Sequence, residues 1–356
     1  MYLNRDGDVI DREDYAQWMT SWDLLYHLGR ANFDGQKSAH VSEIWDQVLQ
    51  SPDGDILKEA WGRAKYEYGR SVEDLRVVSD KVEITWRDTR DGSDTAGQLT
   101  RMMADFVVCA DGPSSRTRGM LLGEVAQRKY AGYVAFRGTV PESELDQATV
   151  FVEKFIFFHA QGTQILGYTI PGVDGTVEPG KRLVNWVWYW NFPEGTEEYE
   201  EVLTDSDGNH HRYTLPTGGK MRLDVWDRQR RTAAEKLPPQ FAELVQKTQK
   251  PFLQAITDVE PPARGTRIGR LLEGRAALLG DALAGFRPHT AASTSQAAFD
   301  ASHLEQAFAG KISWDEYEQT VLEYATSWQK KGVKLGTMSQ FGKINAASPL
   351  QMMAKD

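Results

Sequence analysis

One cysteine in 356 residues leaves no partner for an internal disulfide and too few thiols for a cysteine-based metal site. No run of lysine and arginine stands out, and the formal net charge is −10, so nucleic acid and anionic membranes are poor partners. No apolar stretch approaches the ~18 residues of a membrane-spanning helix. The N-terminus lacks the apolar core of a secretory signal, and no Asn-x-Ser/Thr sequon occurs. The expected location is therefore the cytoplasm. Gly-x-Ser-x-Gly, His-Glu-x-x-His and the Walker phosphate loop are all missing. So is Gly-x-Gly-x-x-Gly, with the acidic residue that follows it in a dinucleotide-binding βαβ unit. No internal repeat is present. What remains is an ordinary globular composition, 40% hydrophobic and 26% charged, long enough for one large or two medium domains. Fourteen Phe, 13 Tyr and 11 Trp suit aromatic-lined cavities.

The chain is organised around Arg275 to Phe299. Ala276 to Leu279 form a short apolar run fit for a buried strand. Gly280 and Asp281 follow at its carboxyl end, then a loop with Pro288 and a row of small residues from Thr290 to Ser295. That row opens an apolar-periodic helix through Ala297, Ala298, Ala301, Leu304, Ala307 and Phe308. Open α/β sheets build ligand sites from this order of strand, acidic residue, loop and helix start. The carboxylate accepts hydroxyl hydrogen bonds, and the helix start offers free N–H groups and a positive dipole end to an anion.

Elsewhere, Tyr2 to Ile10 predicts a hairpin with an Asp-Gly turn. Met19 to Phe33 predicts a helix, with Thr20 and Asp23 as its capping box and Asp34-Gly35 as its end. Val41–Gln50 and Ile56–Tyr66 are weaker helical patterns. Leu75–Val78, Val82–Trp86 and Gln98–Ala104 predict an antiparallel meander. Phe106–Ala110 then reads as a buried strand ending at Asp111-Gly112, with Cys109 as inert core. Tyr130–Val140, Thr149–His159, Gln164–Ile170 and Arg182–Trp190 predict a mostly antiparallel second sheet. Glu194 to Gly219 reads as a polar surface loop, and adjacent His210 and His211 make no metal site. Trp226–Val259 is helical in pattern with a break at Pro238-Pro239, Pro261–Gly265 is a linker, and Trp314–Lys334 is an amphipathic helix. The tail from Gly342 to Asp356 is weakly patterned.

Gly280-Asp281-Ala282, Pro288 and the small residues that follow resemble the second flavin-binding motif of the FAD-dependent aromatic hydroxylases. These are single-component flavoprotein monooxygenases, and the Arg-Pro-His-Thr-Ala-Ala variant is most similar to their 2,6-dihydroxypyridine 3-monooxygenase branch. Asp111, Gly112, Ser115 and Arg118 match the family's Asp-Gly-x-x-Ser-x-x-Arg fingerprint in the family order. Ala284 stands where many members have His. The resemblance covers the chain from the first hairpin to about Phe341. It implies that a βαβ unit carrying the phosphate loop belongs before that hairpin, so the chain reads as an N-terminally shortened member. Met1 is then an internal Met, a mis-called gene start or a real truncation.

The implied fold is mixed α/β. It combines an incomplete, Rossmann-like FAD-binding domain of three layers with a mostly antiparallel substrate sheet. The expected division is a hairpin at 1–20 joining the substrate sheet, FAD-binding segments at 21–128 and 261–356, and a substrate domain at 129–260. The resemblance assigns FAD contacts to Arg30, Asp111, Gly112, Arg118, Gly280, Asp281, Pro288, Ala291, Ala292 and Ser293. Asp281 would hold the ribityl chain, the backbone after Pro288 would border the flavin ring, and Arg30 and Arg118 would face phosphates. Tyr168, Trp188 and Tyr189 are candidates for lining the substrate cavity, and His159 or His289 for a base that deprotonates the substrate. The implied activity is hydroxylation of a hydroxylated aromatic or N-heteroaromatic ring through a flavin hydroperoxide. O2 and transient NAD(P)H would be co-substrates, no metal is required, and a homodimer is a family expectation. A non-catalytic binding module and an incomplete gene model of an intact hydroxylase are the alternatives.

Overall fold

The computed structural model describes residues 1–342 apart from 15, 43–46, 48–49, 52–58, 60–62, 91, 93–94 and 124–126. The weak helical patterns at 41–66 lie largely outside the described residues, and the tail beyond 342 lies wholly outside them. In chain order the elements are β1 (Tyr2–Leu3), β2 (Val9–Asp11), α1 (Trp22–Asp34), β3 (Arg70–Val78), β4 (Lys81–Asp88), β5 (Leu99–Ala104), β6 (Val107–Cys109) and α2 (Arg116–Leu122). Next come β7 (Lys129–Pro141), β8 (Phe155–Ala160), β9 (Thr163–Ile170), β10 (Leu183–Asn191), α3 (Glu197–Val202), β11 (Thr214–Leu215), α4 (Leu223–Lys236) and α5 (Pro239–Lys247). Last are β12 (Phe252–Asp258), β13 (Ala276–Leu278), α6 (Ser293–Phe308) and α7 (Trp314–Phe341).

The chain divides into two compact units, one of 1–66, 132–255 and 339–356, the other of 67–131 and 256–338. Residues 21–66, α1 among them, therefore group with the large sheet and not with the cofactor-type segments expected at 21–128. The first unit holds an eight-stranded mixed sheet in the order β11-β12-β7-β10-β9-β8-β1-β2. The opening hairpin joins it because β1 lies parallel to β8, Tyr2 opposite Phe157. From β7 to β8 the neighbours are antiparallel, as the short turns require. In α1 the cap is Ser21 and not Thr20: its hydroxyl accepts from the Leu24 N–H, and Gly35 ends the helix at φ 69°.

Three expectations fail locally. Thr149 to Lys154 is not strand, because a short 3-10 turn at 148–150 and a left-handed Glu153 at φ 54° intervene before β8. Phe252–Asp258 is a strand and not helix: the Pro238-Pro239 pair starts α5, which ends at Lys247, and Leu253 and Gln254 beyond it pair with β11. The polar stretch 194–219 is more than a loop, holding α3, capped by Thr196, and β11.

In the second unit β3, β4 and β5 form the expected antiparallel meander. Beside it β6 and β13 make a two-stranded parallel sheet, with Ala276 opposite Val107 and Leu278 opposite Cys109. Of β6 only Cys109 is buried; Val108 is 45% exposed, and among the described residues β13 is the strand that pairs with β6. The core of this unit gathers Ile268, Ala277, Leu278, Leu283, Phe286, Leu304, Tyr317 and Val321.

Candidate functional site

Parallel register brings the two acidic turns to one end of one sheet. Leu278 lies opposite Cys109, so the chain leaves both strands on the same side, entering Asp111-Gly112 from β6 and Gly280-Asp281 from β13. Gly112 takes φ 79°, a backbone that a side chain would strain. The Asp111 carboxylate is consumed locally. It accepts from the Ser115 and Thr117 hydroxyls at 2.5 and 2.7 Å, and from the Arg116 and Thr117 N–H groups at 2.9 and 3.1 Å. Burial pushes this carboxyl up, but those bonds outweigh it and hold it below the usual carboxylate range. Asp111 thus shapes its turn and caps α2. Arg118, only 3% exposed, does not face outward either. It donates to the Asp281 and Ala282 carbonyls, each at 3.1 Å, and to the Pro113 carbonyl at 2.9 Å, tying the two turns together.

Asp281 is different. Its Oδ1 is buried and has no hydrogen-bond partner among the described residues. Burial raises its pKa, opposed by a bond from the Ser293 hydroxyl and by the charges of Arg128 and Arg118. Pro288–Thr290 form one 3-10 turn, Ala291 is left-handed at φ 51°, and α6 starts at Ser293. Ala292 supplies no side-chain cap, so no side chain at that position competes for the first N–H groups of the helix.

The residues that hold this turn were missed by sequence reasoning. The Gly280 N–H donates to Asp300 at 2.9 Å, and the Gln296 side chain donates to the Gly280 carbonyl at 3.2 Å. Gly280 sits at φ 60°, where an added Cβ would lie 3.3 Å from that of Ala297. The buried stripe of α6 is therefore Gln296, Asp300, Leu304 and Ala307, while Phe308 is 54% exposed. Apolar periodicity alone placed Ala298, Ala301 and Phe308 inside. Burial drives the Asp300 carboxyl up to about 7, opposed by its bond from Gly280. Arg128 was also missed; it reaches the Ser114 and Thr257 hydroxyls at 2.8 and 2.5 Å.

Several sequence candidates have other occupations. Arg30 is buried in the first unit, paired to Asp34 at 2.6 Å with the Tyr66 ring 3.9 Å away. Arg287, in the Arg-Pro-His-Thr segment, forks onto Asp258 at 2.8 and 2.6 Å and fixes the loop to the end of β12. His289 is half-buried within that same turn. His159 Nε2 lies 3.0 Å from the Ser339 carbonyl, so this nitrogen is the donor and is not free to act as a base. Burial lowers its pKa. Among the described residues no group of three or more His, Cys, Asp or Glu could hold a metal. His211 instead pairs with Asp205 at 2.9 Å.

In the large sheet, strand alternation divides the aromatic candidates. Trp188 and Trp186 share the face packed on helices: Trp186 stacks with Trp226 of α4 and donates to Thr248, and Trp188 donates to Thr163 at 2.7 Å. Tyr189, Tyr168 and His159 lie on the opposite face. The pairs Asn185–Tyr168, Tyr189–Gln164 and His159–Gln164 fix that assignment. Trp188 therefore cannot line the same surface as Tyr168 and Tyr189. Burial raises both tyrosine pKa values, so both hydroxyls stay protonated.

A family model described as FAD binding domain-like matches residues 130–258. The mixed α/β fold is shared with FAD-dependent hydroxylases, and the resemblance read from the motifs is borne out. The chain is similar to FAD-dependent aromatic hydroxylases, the dihydroxypyridine enzyme among them. It is 29% identical over 316 residues to 2,6-dihydroxypyridine 3-monooxygenase of Paenarthrobacter nicotinovorans, covering 86% of this chain and 73% of that protein. With the FAD-dependent urate hydroxylase of Klebsiella oxytoca it shares 26% identity over 64% of its length, spanning 46% of that enzyme. The solved 2,6-dihydroxypyridine-3-hydroxylase of Arthrobacter nicotinovorans superposes with a TM-score of 0.67 at 25% identity, covering 83% of this chain and 72% of that one. Klebsiella pneumoniae HpxO, solved with FAD and uric acid, shares the fold at a TM-score of 0.56 and 21% identity, over 84% of this chain and 63% of that one. Among the described residues no helix is long and apolar enough to cross a membrane.

Proposed function

We propose that this chain is the FAD-binding and ring-binding body of an aromatic hydroxylase that consumes O2 and NAD(P)H. Its substrate is a hydroxylated aromatic or N-heteroaromatic ring. The observation that carries the reading is the buried, partnerless Oδ1 of Asp281, set beside an α6 start with no side-chain cap. A polyhydroxylated chain fits that oxygen, since its hydroxyls supply the donors it lacks. When bound, FAD would carry the reducing equivalents of NAD(P)H to O2 and so supply the oxygen chemistry. The residues of this chain bind and orient. Asp281 accepts a hydroxyl, the α6 start faces developing negative charge, and Arg118 and Asp300 hold the turn from behind. The uncapped α6 start and the protonated Tyr168 and Tyr189 support the reading further.

Of the site assignments, Asp281, Gly280, Ala291, Ala292 and Ser293 keep a direct cofactor role in this reading. Asp111, Gly112 and Arg118 become the framework that positions them. His289 and His159 remain the candidate bases; the Ser339 carbonyl holds Nε2–H of His159, which leaves Nδ1 as its basic nitrogen. Purified protein, reconstituted with FAD, should turn yellow and oxidise NADH or NADPH faster when a hydroxypyridine is added. Protein that stays colourless after reconstitution and desalting contradicts the reading and favours a non-catalytic binding module.

A further inference from the structure

One helix grips Gly280 by both of its backbone groups. The Gly280 N–H donates to Asp300 Oδ2 at 2.9 Å, and the Gly280 carbonyl accepts from Gln296 Nε2 at 3.2 Å. Gln296 and Asp300 stand four residues apart on α6, so they share a face of the helix, and both are fully buried. The grip engages one atom of each side chain. The other two, Gln296 Oε1 and Asp300 Oδ1, are buried and have no hydrogen-bond partner among the described residues. Because Nε2 of Gln296 donates to the carbonyl, its Oε1 can only accept.

An ionised Asp300 would likewise only accept. Two acceptors on adjoining turns with no donor between them would both go unsatisfied in the core, which is unfavourable. A proton on Asp300 removes the conflict, since a carboxylic acid keeps an oxygen to accept and gains an O–H to donate. The ring then closes, from the Gly280 N–H to Asp300, from the Asp300 O–H to Gln296, and from the Gln296 N–H to the Gly280 carbonyl. The Tyr317 hydroxyl does not fill the gap, for it too is buried and without a partner among those residues. The surroundings hold no cation against the acid. Tyr317 and Tyr324 of α7 feel its charge, and Glu318 acts on Tyr317 as well. Arg118 donates to the Asp281, Ala282 and Pro113 carbonyls, and on α6 itself His303 faces the Phe299 carbonyl. Among the described residues Asp300 forms no ion pair, and burial favours its neutral form.

We infer that Gln296 and Asp300 are positioning residues for the cofactor turn, and that they act only while Asp300 carries a proton shared with Gln296. This rests on the reading that the Gly280-Asp281 turn and the start of α6 hold FAD. The grip registers those two parts against each other, fixing the residue before Asp281 to the helix that begins at Ser293. When the proton leaves to solvent, two facing acceptors remain, the grip opens and the turn is released from the helix.

The test is FAD binding to the full chain, followed by flavin fluorescence across a series from about pH 6 to about 9, with thermal melts to monitor the fold. Wild-type affinity should be flat at the acid end and weaken above about pH 7, by up to ~10-fold per pH unit where only the protonated form is competent. Asp281, which accepts best when ionised, would give the opposite slope. Asp300→Asn is the discriminating variant, because its amide accepts from Gly280 and donates to Gln296 as the neutral acid does, yet cannot ionise. It should match wild type at the acid end and hold that affinity to the alkaline end. Gln296→Met, which removes the acceptor, should weaken binding by ~10-fold and move the fall to lower pH. Should the Asn variant not fold, the wild-type series and the Gln296 variant decide alone. A wild-type affinity that does not fall with rising pH, or an Asn variant weaker than wild type at every pH, overturns the inference and leaves the FAD-binding reading standing. Wild type that binds no FAD at any pH overturns both.

Discussion

The Arg118 guanidinium, carried on the helix that follows the Asp111 turn, donates to the backbone carbonyl of Asp281 at 3.1 Å. One arginine thus joins two turns far apart in sequence, and it does so through main-chain oxygens, leaving the Asp281 carboxylate uncommitted to it. Arg118→Ala should therefore loosen the cofactor turn without removing a cofactor contact. The expected result is a lower Tm and weaker FAD retention, both partly restored by Arg118→Lys, read by thermal melts and flavin fluorescence. Unchanged stability would mean the tie is not formed.

Asp300 makes stability depend on pH. Its folded pKa is raised from the ordinary carboxylate value of 3.8 to about 7, so between those values the folded state binds more protons than the unfolded chain. Stability is then greatest at low pH within that window and falls as pH rises from about 4 through about 7, by up to ~4 kcal/mol. Asp300→Asn keeps an acceptor for the Gly280 N–H and cannot ionise. Its Tm should change less across pH 5–8 than that of wild type, as a series of thermal melts would show. Parallel curves for the two proteins would remove Asp300 from the account.

The division of the sheet by face separates two aromatic neighbours. Trp188 is on the helix-packed face and Tyr189 on the other, each about fully buried. Trp188→Phe should lower Tm by removing the bond to Thr163 and opening a gap, at ~1–3 kcal/mol, with ring affinity unchanged. Tyr189→Phe should do the reverse, weakening ring binding with a small effect on Tm. Thermal melts and a tryptophan-quenching titration with 2,6-dihydroxypyridine together decide it.

Gly138 marks how closely β7 approaches its covering helix. A Cβ there would fall 2.6 Å from the Thr248 side chain and 2.9 Å from the Trp186 ring, both enclosed. Gly138→Ala should cost ~1–3 kcal/mol through overpacking, read as a lower denaturant midpoint with an unchanged slope.

The meander, the paired acidic turns and the antiparallel run from β7 to β10 were legible because each rests on a local signal: alternation, an Asp-Gly turn, or an apolar run with a carboxylate at its end. The occupations of the side chains were not. Asp111 and Asp281 look alike in sequence, yet one spends its carboxylate on Ser115 and Thr117 while the other keeps an oxygen orphaned. Asp300 and Gln296 fall inside α6 because they satisfy the backbone of Gly280, a tertiary demand that helical periodicity cannot carry. Trp188 was misplaced because its face depends on register, which the run Trp-Val-Trp-Tyr-Trp does not fix.

The central claim is that the unpaired Asp281 carboxylate oxygen is a flavin contact. Titration of the purified chain with FAD, followed by flavin fluorescence, compares wild type with Asp281→Ala while thermal melts monitor the fold. The account predicts a weakening of ~10–100-fold in the variant, with Tm little changed, because the loss of the Ser293 bond is offset by removal of a buried carboxylate oxygen that lacks a partner. Equal FAD affinity in the two proteins would contradict it.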